Sequence, residues 1–568
     1  MGPKLVELRP NQSHLDPNFN GYKLSLEKLP IIKEALHVSV DHVLPSNDQY
    51  SFLHAKLFGL HNHLTGDVFN DNDCVYFVDK NQCVQKASLD EFGGSIILTK
   101  VWEVPEFKEH RDGDYNFSLK FANKNLAVIS NGAGMLYIIE TGSRNGSSTW
   151  QCVFCDEVIG SEKQFIIQDV VYNEDKLHCL LFSVEQDTST KKCTAGLHWV
   201  TLVQADNDKS WGAVALRELS SKGDLYYAYF EPNCNAIYAV SDNGCRFTVD
   251  SENPIKDEPQ SDAANSKYKW SQTYEDITLK FELPKEYKKD DINIKIDFNE
   301  IDVSYEDVLL KGKLTHRINK DTTTWTVTNN ILEINLNKAE NGVMWSEVVE
   351  GDQTGQLSVD PNIVEEAHHK LGHLCNENEI TETQDEQGPI FSRQQIEECD
   401  FEDDKLAFFE RLDCVSHEVT HRANLGSHHV LLTVKLSEDL PPAMAIRYDV
   451  DACLWQPIGS NDNFSLNHEA TLLAFGYVQA SKQQKKFCSC APDLNYSVIC
   501  ESTRHVFIYR QNKPIGNAEL RNRTTGKRFG TIAQQQVVNV SEDEILGIFA
   551  ANNVLFLLTE NSILVLKL

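Results

Sequence analysis

The stretch YKWSQTYEDITLKFELP, residues 268–284, decides the fold, because a strand pattern with a clear two-residue period begins there in mid-chain. Its apolar side chains occupy every second position, at Ile277, Leu279, Phe281 and Leu283. Since side chains two residues apart point to the same face of a strand, these four share one face. The stretch therefore predicts a half-buried strand at the start of a folded unit.

The same period recurs further along the chain, in INIKID (292–297), TTTWTVT (322–328) and ILEINLNK (331–338). Polar clusters typical of turns separate these runs, and no helical period interrupts them. We therefore predict one compact antiparallel β-sandwich over residues 268–352. The indoles of Trp270 and Trp325 are predicted to pack in its core.

Acidic segments without periodicity flank the predicted sandwich on both sides. Residues 250–267 are rich in Asp, Glu, Pro and Ser and are predicted to be a linker. Residues 353–405 are predicted to be a second acidic linker that contains short helices. The central unit is thus expected to be set apart from the rest of the chain.

The two outer parts, residues 1–249 and 406–568, contain repeated strand, turn and strand patterns. Three of these patterns are NLAVISNGAGMLYIIETG (125–142), NAIYAVSDNGCRFTVD (235–250) and NNVLFLLTENSILVLKL (552–568). The last pattern ends at the final residue, so its outer strand needs a partner. We predict a mainly β protein in which both parts form one irregular β-propeller-like body, closed by its two chain ends, with the sandwich inserted between blades. Two separate β domains are the alternative.

The overall charge disfavours several classes of function. The 84 acidic and 53 basic residues give a formal net charge of −31, which would repel the phosphates of nucleic acid. No apolar run is long enough to cross a bilayer, so membrane insertion is not expected. The 15 cysteines are expected to be reduced thiols. We expect a cytoplasmic protein, with the nucleus as a second location.

Several short motifs along the central unit form a recognisable set. They are YKWSQT with Trp270 and Gln272, KGKLTHRI with Gly312 and Leu314, TTTWTV with Trp325, and GVMWSEVVEGD with Trp345. With these motifs, the region resembles the CS domain of the NudC family. The resemblance extends into both flanks, through GYKLSLEKLP (21–30) and DACLWQPIG (451–459), to a larger member of that family.

The resemblance implies a non-enzymatic adaptor or co-chaperone that binds client proteins. The implied clients are β-propeller proteins and the vesicle coat coatomer, and the implied chaperone partner is the ninety-kilodalton heat-shock chaperone. This chain carries Trp345-Ser346 where related co-chaperones often carry Trp-Pro. A structural subunit or scaffold of a larger complex is the alternative role.

Two groups of residues are candidates for binding a protein partner. Trp345 and Glu347 follow the last regular strand of the sandwich, and Trp345 could either contact a partner or pack in the core. Lys482, Lys485 and Lys486 form a basic run in the carboxy-terminal part that could receive an acidic segment.

The sequence offers only weak candidates for enzyme chemistry. His369 and His373 would share one helical face near Cys375, but no HExxH pattern supports a zinc site. Cys152 and Cys155 have redox spacing, although in a strand they would point to opposite faces. A metal- or thiol-dependent enzyme is therefore the weakest alternative, and no cofactor is expected.

Two further motifs are interpreted as loops. NGAG (131–134) lacks the Lys-Ser/Thr of a phosphate-binding loop and leads into a strand, so it predicts a hairpin turn. HNH (61–63) resembles a nuclease motif only in its letters, because no supporting ligands accompany it. Neither motif predicts a catalytic site.

Overall fold

The computed structural model divides the chain into two compact units, both built mainly from β-strands. The first, here called the body, comprises residues 1–255 and 392–568, and the second, here called the inserted unit, comprises residues 256–391. The structure describes residues 3–568 without 71–73, 91, 145–148, 162, 187–191, 206, 208, 222, 243, 256–267, 273–275, 284–291, 306, 329, 340–344, 346–347, 350–351, 353–354, 358–406, 427, 515–519, 522–527, 530 and 541.

The body begins with residues 3–35, here called the N-terminal strap. The strap contains the strands β1 (Lys4–Leu5), β2 (Lys23–Leu24) and β3 (Ile31–Ala35) and a 3₁₀ turn at Gln12–His14. Helix α1 (Phe52–Gly59) follows, and Ser51 caps it because the Ser51 hydroxyl accepts a hydrogen bond from the His54 N–H at 3.2 Å.

Three sheets then follow in chain order. Sheet 1 contains β4 (Thr65–Gly66), β5 (Cys74–Val78), β6 (Cys83–Leu89) and β7 (Ile96–Glu103). Sheet 2 contains β8 (Ser118–Phe121), β9 (Leu126–Ser130), β10 (Leu136–Glu140) and β11 (Gln151–Asp156). Sheet 3 contains β12 (Ile166–Asn173), β13 (Lys176–Gln186), β14 (Cys193–Gln204) and β15 (Trp211–Ser221). The strands of each sheet pair antiparallel with their neighbours in sequence.

Sheet 4 begins before the inserted unit and is completed after it. Its first strands are β16 (Leu225–Phe230) and β17 (Ala236–Ser241), which pair with each other. The next strand, β18 (Cys245–Asp250), leaves sheet 4 and pairs with β15 at the outer edge of sheet 3. The predicted hairpin over residues 235–250 is therefore wrong, because its two strands belong to different sheets.

The inserted unit is a sandwich of a five-stranded and a three-stranded sheet. Its strands are β19 (Tyr268–Gln272), β20 (Asp276–Glu282), β21 (Ile292–Ile296), β22 (Glu300–Tyr305), β23 (Asp307–Lys313), β24 (Ile318–Thr328), β25 (Ile331–Lys338) and β26 (Gly355–Leu357). The larger sheet has the order β24-β25-β20-β19-β26, and the smaller has the order β21-β22-β23. Because β26 pairs parallel with β19, the sandwich extends past its predicted end at Asp352 and is not purely antiparallel.

The remaining strands complete the body. Sheet 4 gains β27 (Phe408–Asp413) and β28 (Val419–Asn424), and sheet 5 contains β29 (Val430–Val434), β30 (Ala443–Tyr448), β31 (Asp451–Ile458) and β32 (Ser465–Leu472). Helix α2 (Phe475–Ala480) precedes sheet 6, which contains β33 (Lys485–Cys490), β34 (Tyr496–Glu501), β35 (His505–Pro514) and β38 (Thr531–Asn539). Between β35 and β38, the strands β36 (Leu520–Arg521) and β37 (Arg528–Phe529) form a separate two-stranded sheet. Sheet 7 contains β39 (Ile545–Ala550), β40 (Val554–Thr559) and β41 (Ser562–Lys567).

The seven sheets of the described body form a closed ring. Each sheet packs on the next through a cluster of buried apolar side chains, and a seventh cluster joins sheet 7 back to sheet 1. In that last cluster, Val75 and Phe77 of sheet 1 lie with Phe556 and Val565 of sheet 7, all at most 2% exposed. The predicted β-propeller-like body is confirmed.

The two chain ends meet as the sequence predicts. Strand β3 pairs antiparallel with β41, so that Ile31 lies opposite Leu566 and the first part of the chain completes the last sheet. The strap also adds β1 to sheet 4 and β2 to sheet 6, both in parallel pairing. It therefore binds the outer edges of three sheets of the body.

The insertion point differs from the predicted one. The sandwich interrupts sheet 4 between its second and third strands, since β17 pairs directly with β27 across the insertion. Residues 250–255, which were assigned to the first linker, belong to the body instead. The Asp250 carboxylate accepts hydrogen bonds from Arg217 at 3.0 Å and from His417 at 2.8 Å, and Ile255 packs against an apolar cluster.

A buried ion pair crosses the same interruption. The Glu231 carboxylate follows β16, and the Arg411 guanidinium lies on β27, beyond the inserted unit. Two parallel hydrogen bonds of 2.9 Å join them, and both side chains are 1% exposed. The hydroxyl of Tyr238 donates a third hydrogen bond to Glu231 at 3.1 Å. The two halves of sheet 4 are thus held by side chains as well as by strand pairing.

The core of the inserted unit contains one of the two tryptophans predicted for it. Trp270 is 3% exposed and packs with the alternating side chains of β20, whereas Trp325 is 45% exposed. The core prediction for Trp325 is therefore wrong. Its strand, β24, is an edge of the five-stranded sheet, so no neighbouring strand covers Trp325 on one side.

Candidate protein-binding site

Gln272 fixes the segment that follows the last long strand of the inserted unit. Its side-chain Oε1 accepts the Trp345 N–H at 2.9 Å, and its Nε2 donates to the Trp345 carbonyl at 2.8 Å. The Lys338 ammonium also donates to Oε1, at 3.1 Å. One amide side chain thus satisfies both backbone groups of Trp345, as a neighbouring strand would.

Trp345 packs inside the inserted unit. Its side chain is 3% exposed and belongs to the core cluster, with the His316 ring 5.5 Å away in an edge-to-face arrangement. The sequence left a contact role and a packing role open for Trp345, and the structure places the indole in the core. Glu347, the other candidate for partner binding in this segment, lies outside the described residues.

Gly312 and Leu314 contact the end of the segment with Trp345, Val348 and Val349, here called the closing segment. Leu314 forms a bridge with Val349, and the Thr315 N–H donates to the Val348 carbonyl at 3.2 Å. A Cβ on Gly312 would lie 2.4 Å from Cγ1 of Val349, so any side chain there would push the segment away. The glycine is therefore needed for this close approach.

A groove of about 300 Å³ opens beside the closing segment. Its lining consists of Asn299, Lys313, Leu314, Thr315, His316, Arg317 and Trp345. The side chains of Lys313, His316 and Arg317 are exposed, and none of the described lining residues carries a carboxylate. The groove therefore combines basic side chains with hydrogen-bonding groups, and such groups can bind an acidic side chain.

Sequence reasoning missed most of this groove. The motif KGKLTHRI was used only for Gly312 and Leu314, although the three cationic or titratable side chains of the groove lie in the same eight residues. Three such residues within five positions were a usable signal, because at least two of them must lie on one face of a strand or turn.

The lysines predicted to bind a partner belong to the body and are already engaged there. Lys486 forms an ion pair with Glu544 at 2.8 Å and has a side chain only 8% exposed. The Lys485 ammonium donates to Oε1 of Gln479 at 2.6 Å. Lys482 lies over the Phe507 ring at 4.6 Å. This basic run is thus a weaker candidate than the groove of the inserted unit.

The enzymatic alternatives gain no support from the geometry. Cys152 and Cys155 lie on β11 as predicted, and burial raises the pKa of both thiols, which disfavours the reactive thiolate. His369, His373 and Cys375 lie outside the described residues. Within the described ranges, no group of three His, Cys, Asp or Glu side chains has the arrangement of a metal site. None of the described helices is long and apolar enough to span a bilayer.

The HNH motif has a structural role that the sequence did not reveal. Both side-chain groups of Asn62 bind the backbone of Ile548, with Nδ2 to the carbonyl at 2.8 Å and Oδ1 to the N–H at 3.0 Å. Asn62 therefore ties the start of sheet 1 to sheet 7. His61 Nε2 lies 2.9 Å from the Phe117 carbonyl and donates a hydrogen bond to it.

We expect His61 to make the body less stable in acid. Burial lowers the pKa of His61 to about 4, whereas an unfolded histidine titrates near about 6.5. Below the unfolded pKa, the unfolded chain binds the additional proton, so stability is full above about pH 6.5 and falls as the pH drops toward 4. This loss should reach about 3 kcal/mol for His61 alone.

The measurement is the thermal midpoint of the full chain between pH 7 and pH 4, for the wild type and for His61→Gln. Glutamine keeps a donor for the Phe117 carbonyl but does not titrate in this range. The variant should lose less stability than the wild type over the interval. Parallel pH profiles for the two proteins would contradict the prediction.

Comparisons with known proteins identify relatives of this chain. A family model described as the CS domain matches residues 266–338. NudC domain-containing protein 1 of Xenopus tropicalis is 36% identical over 99% of this chain and 98% of its own length. The protein of that name from Mus musculus is 34% identical, with the same coverage. Among solved structures, the C-terminal WD40 domain of Sif2 matches 94% of this chain and 98% of its own, with a TM-score of 0.32 and 8% identity.

Proposed function

The chain belongs to the NudC family, and we propose that it is a non-enzymatic co-chaperone or adaptor that holds client proteins through the groove of its CS domain. Family membership and the CS domain favour a co-chaperone-like role that rests on protein–protein contacts. The observation that carries the proposal is the groove itself, which Lys313 and Arg317 line beside the Trp345 backbone that Gln272 holds.

The charge of the whole chain explains why a local groove would be selective. A protein with a formal net charge of −31 repels acidic partners at long range. An acidic segment would therefore be held only where Lys313 and Arg317 concentrate positive charge, and mainly when the segment is short. We accordingly propose a short acidic stretch of the client as the element that the groove recognises.

The proposed clients are β-propeller proteins, including subunits of the coatomer vesicle coat. The ninety-kilodalton heat-shock chaperone is the proposed chaperone partner. The cytoplasm is the proposed location, with the nucleus as a second one.

The test is charge reversal in the groove of the full-length chain. Lys313→Glu with Arg317→Glu should lower the amount of retained client about tenfold, since both cations of the groove become repulsive. The control is Lys311→Glu on the same strand, an exposed lysine that pairs with Asp302 at 2.8 Å and does not line the groove.

Client capture would be quantified by affinity purification from cytosol, with hydrogen exchange of the inserted unit as the check on folding. A loss specific to the groove variant supports the proposal. Unchanged capture would assign client binding to another surface, and equal losses in both variants would indicate a general effect of charge.

A further inference from the structure

The body encloses a cavity of about 640 Å³ at the centre of its ring. The first strand of each sheet lies at one edge of that sheet. Residues that lie on six of these first strands, or directly follow them, line the cavity; the strands are β4, β8, β12, β16, β29 and β39. The outer edges carry β7, β11, β18, β32 and the strands of the strap. The cavity is thus the central space of the ring, and its wall is set by the innermost strands.

Three lysine side chains line this cavity, and two of them, Lys120 and Lys435, have no salt bridge within the described part of the chain. In β8, Leu119 and Phe121 pack into the cluster between sheets 1 and 2, and the two-residue period leaves Lys120 on the opposite face. Lys435 directly follows β29 and lies over the Phe69 ring at 5.7 Å. In the described part of the chain, neither ammonium donates a hydrogen bond to a protein acceptor.

The carboxylates near the cavity are too few to neutralise the ammonium groups of Lys120 and Lys435. Asp41 is bound by His110 at 2.9 and 3.0 Å, and a third lysine, Lys56, is neutralised by Asp224 at 2.8 Å. The remaining wall carboxylate, Asp169, accepts the Phe230 N–H at 3.0 Å and faces both lysines. One carboxylate therefore opposes two ammonium groups, and both lysine side chains are only partly exposed.

An ammonium group that is partly withdrawn from water and has no hydrogen-bonding partner in the described protein is unfavourable, and a bound anion would offset that cost. Burial lowers the pKa of Lys120, and the charge of Lys435 lowers it further, while Asp169 acts in the opposite direction. Aromatic side chains, including Tyr229 and Phe549, complete the wall and could pack against an organic group.

We propose that the central cavity of the body is a binding site for a small phosphate-bearing molecule, with Lys120 and Lys435 as the cations that hold its phosphate. Lysine serves well as a point charge for phosphate. The volume exceeds what an isolated phosphate needs and is of the size found for small-molecule pockets. This site is distinct from the groove of the inserted unit and does not depend on client binding.

The test is a titration of the full-length chain with inorganic pyrophosphate, inorganic phosphate and adenosine monophosphate at constant ionic strength. Thermal midpoint and titration calorimetry are the two readouts. At least one of the three should raise the midpoint in a saturable way, as a ligand that binds only the folded state does. Tightest binding of adenosine monophosphate would point to an organic phosphate, and tightest binding of pyrophosphate or phosphate would point to an inorganic ion.

Lys120→Met and Lys435→Met remove each charge while keeping an apolar stem of similar length. Each should weaken the binding about tenfold, and neither should lower the midpoint without ligand, because neither ammonium donates a hydrogen bond within the described part of the chain. Lys124→Met, an exposed lysine in the β8–β9 turn, is the matched control and should bind as the wild type does. The absence of saturable binding, or equal binding in Lys120→Met and the wild type, would overturn the proposal.

Discussion

Replacing Trp270 with alanine is expected to destabilise the inserted unit by about 3–5 kcal/mol, the usual cost of removing a buried tryptophan. Trp270 is 3% exposed and lies opposite Leu279 on β20, with β26 on its other side. A small domain is often stable by only about 5–15 kcal/mol, so this loss is a large part of the total.

The matched variant is Trp325→Ala in the same unit. Trp325 is 45% exposed on the edge strand β24, so its removal should cost no more than about 1.5 kcal/mol. Hydrogen exchange of the full-length chain, read on peptides from β20 and β25, measures both variants without isolating the unit. Equal loss of protection in the two variants would refute the distinction between core and edge.

Breaking the buried ion pair of sheet 4 is the second change with a large expected effect. Glu231→Ala should destabilise the body by about 3–5 kcal/mol, because it leaves the Arg411 guanidinium buried without its carboxylate. Both hydrogen bonds between the two side chains are 2.9 Å, and neither side chain is more than 1% exposed. Hydrogen exchange on peptides from β17 and β27 reports the effect directly.

An exposed ion pair and a double variant serve as controls. Lys80 and Glu560 lie 2.8 Å apart with half of each side chain exposed, so Lys80→Ala should cost less than about 1 kcal/mol. The double variant Glu231→Leu with Arg411→Met should be more stable than Glu231→Ala alone, since no unpaired charge remains. If Glu231→Ala behaves like Lys80→Ala, the pair does not hold sheet 4 together.

The sequence predicts local pairings well and long-range ones only in part. The hairpins of β9 with β10 and of β40 with β41 follow from alternation and turn residues, and both are present. The false hairpin over residues 235–250 has the same local signals. Its strands are separated because β17 has a partner, β27, that lies beyond the whole inserted unit. No local pattern encodes that choice.

The tryptophans and the cavity show a second limit of sequence reasoning. Trp270 and Trp325 have similar alternating neighbours, yet one strand is central and the other is an edge. The position of a strand in a sheet depends on the order of all the strands. In the sequence, Lys120 likewise resembles any polar residue on the exposed face of a half-buried strand. That face lines a cavity because the sheets of the body close into a ring.

The interruption of sheet 4 also affects how the chain can fold as it is synthesised. Strand β17 leaves the ribosome with one edge unsatisfied, and it must wait for the entire inserted unit before β27 arrives. The strap waits longer still, because β3 finds its partner β41 only when the last strand has been made. The described strands of the inserted sandwich pair with one another, so the sandwich can fold in the meantime. A nascent chain of this protein therefore displays open β edges for most of its synthesis, so it should itself depend on chaperones at that stage.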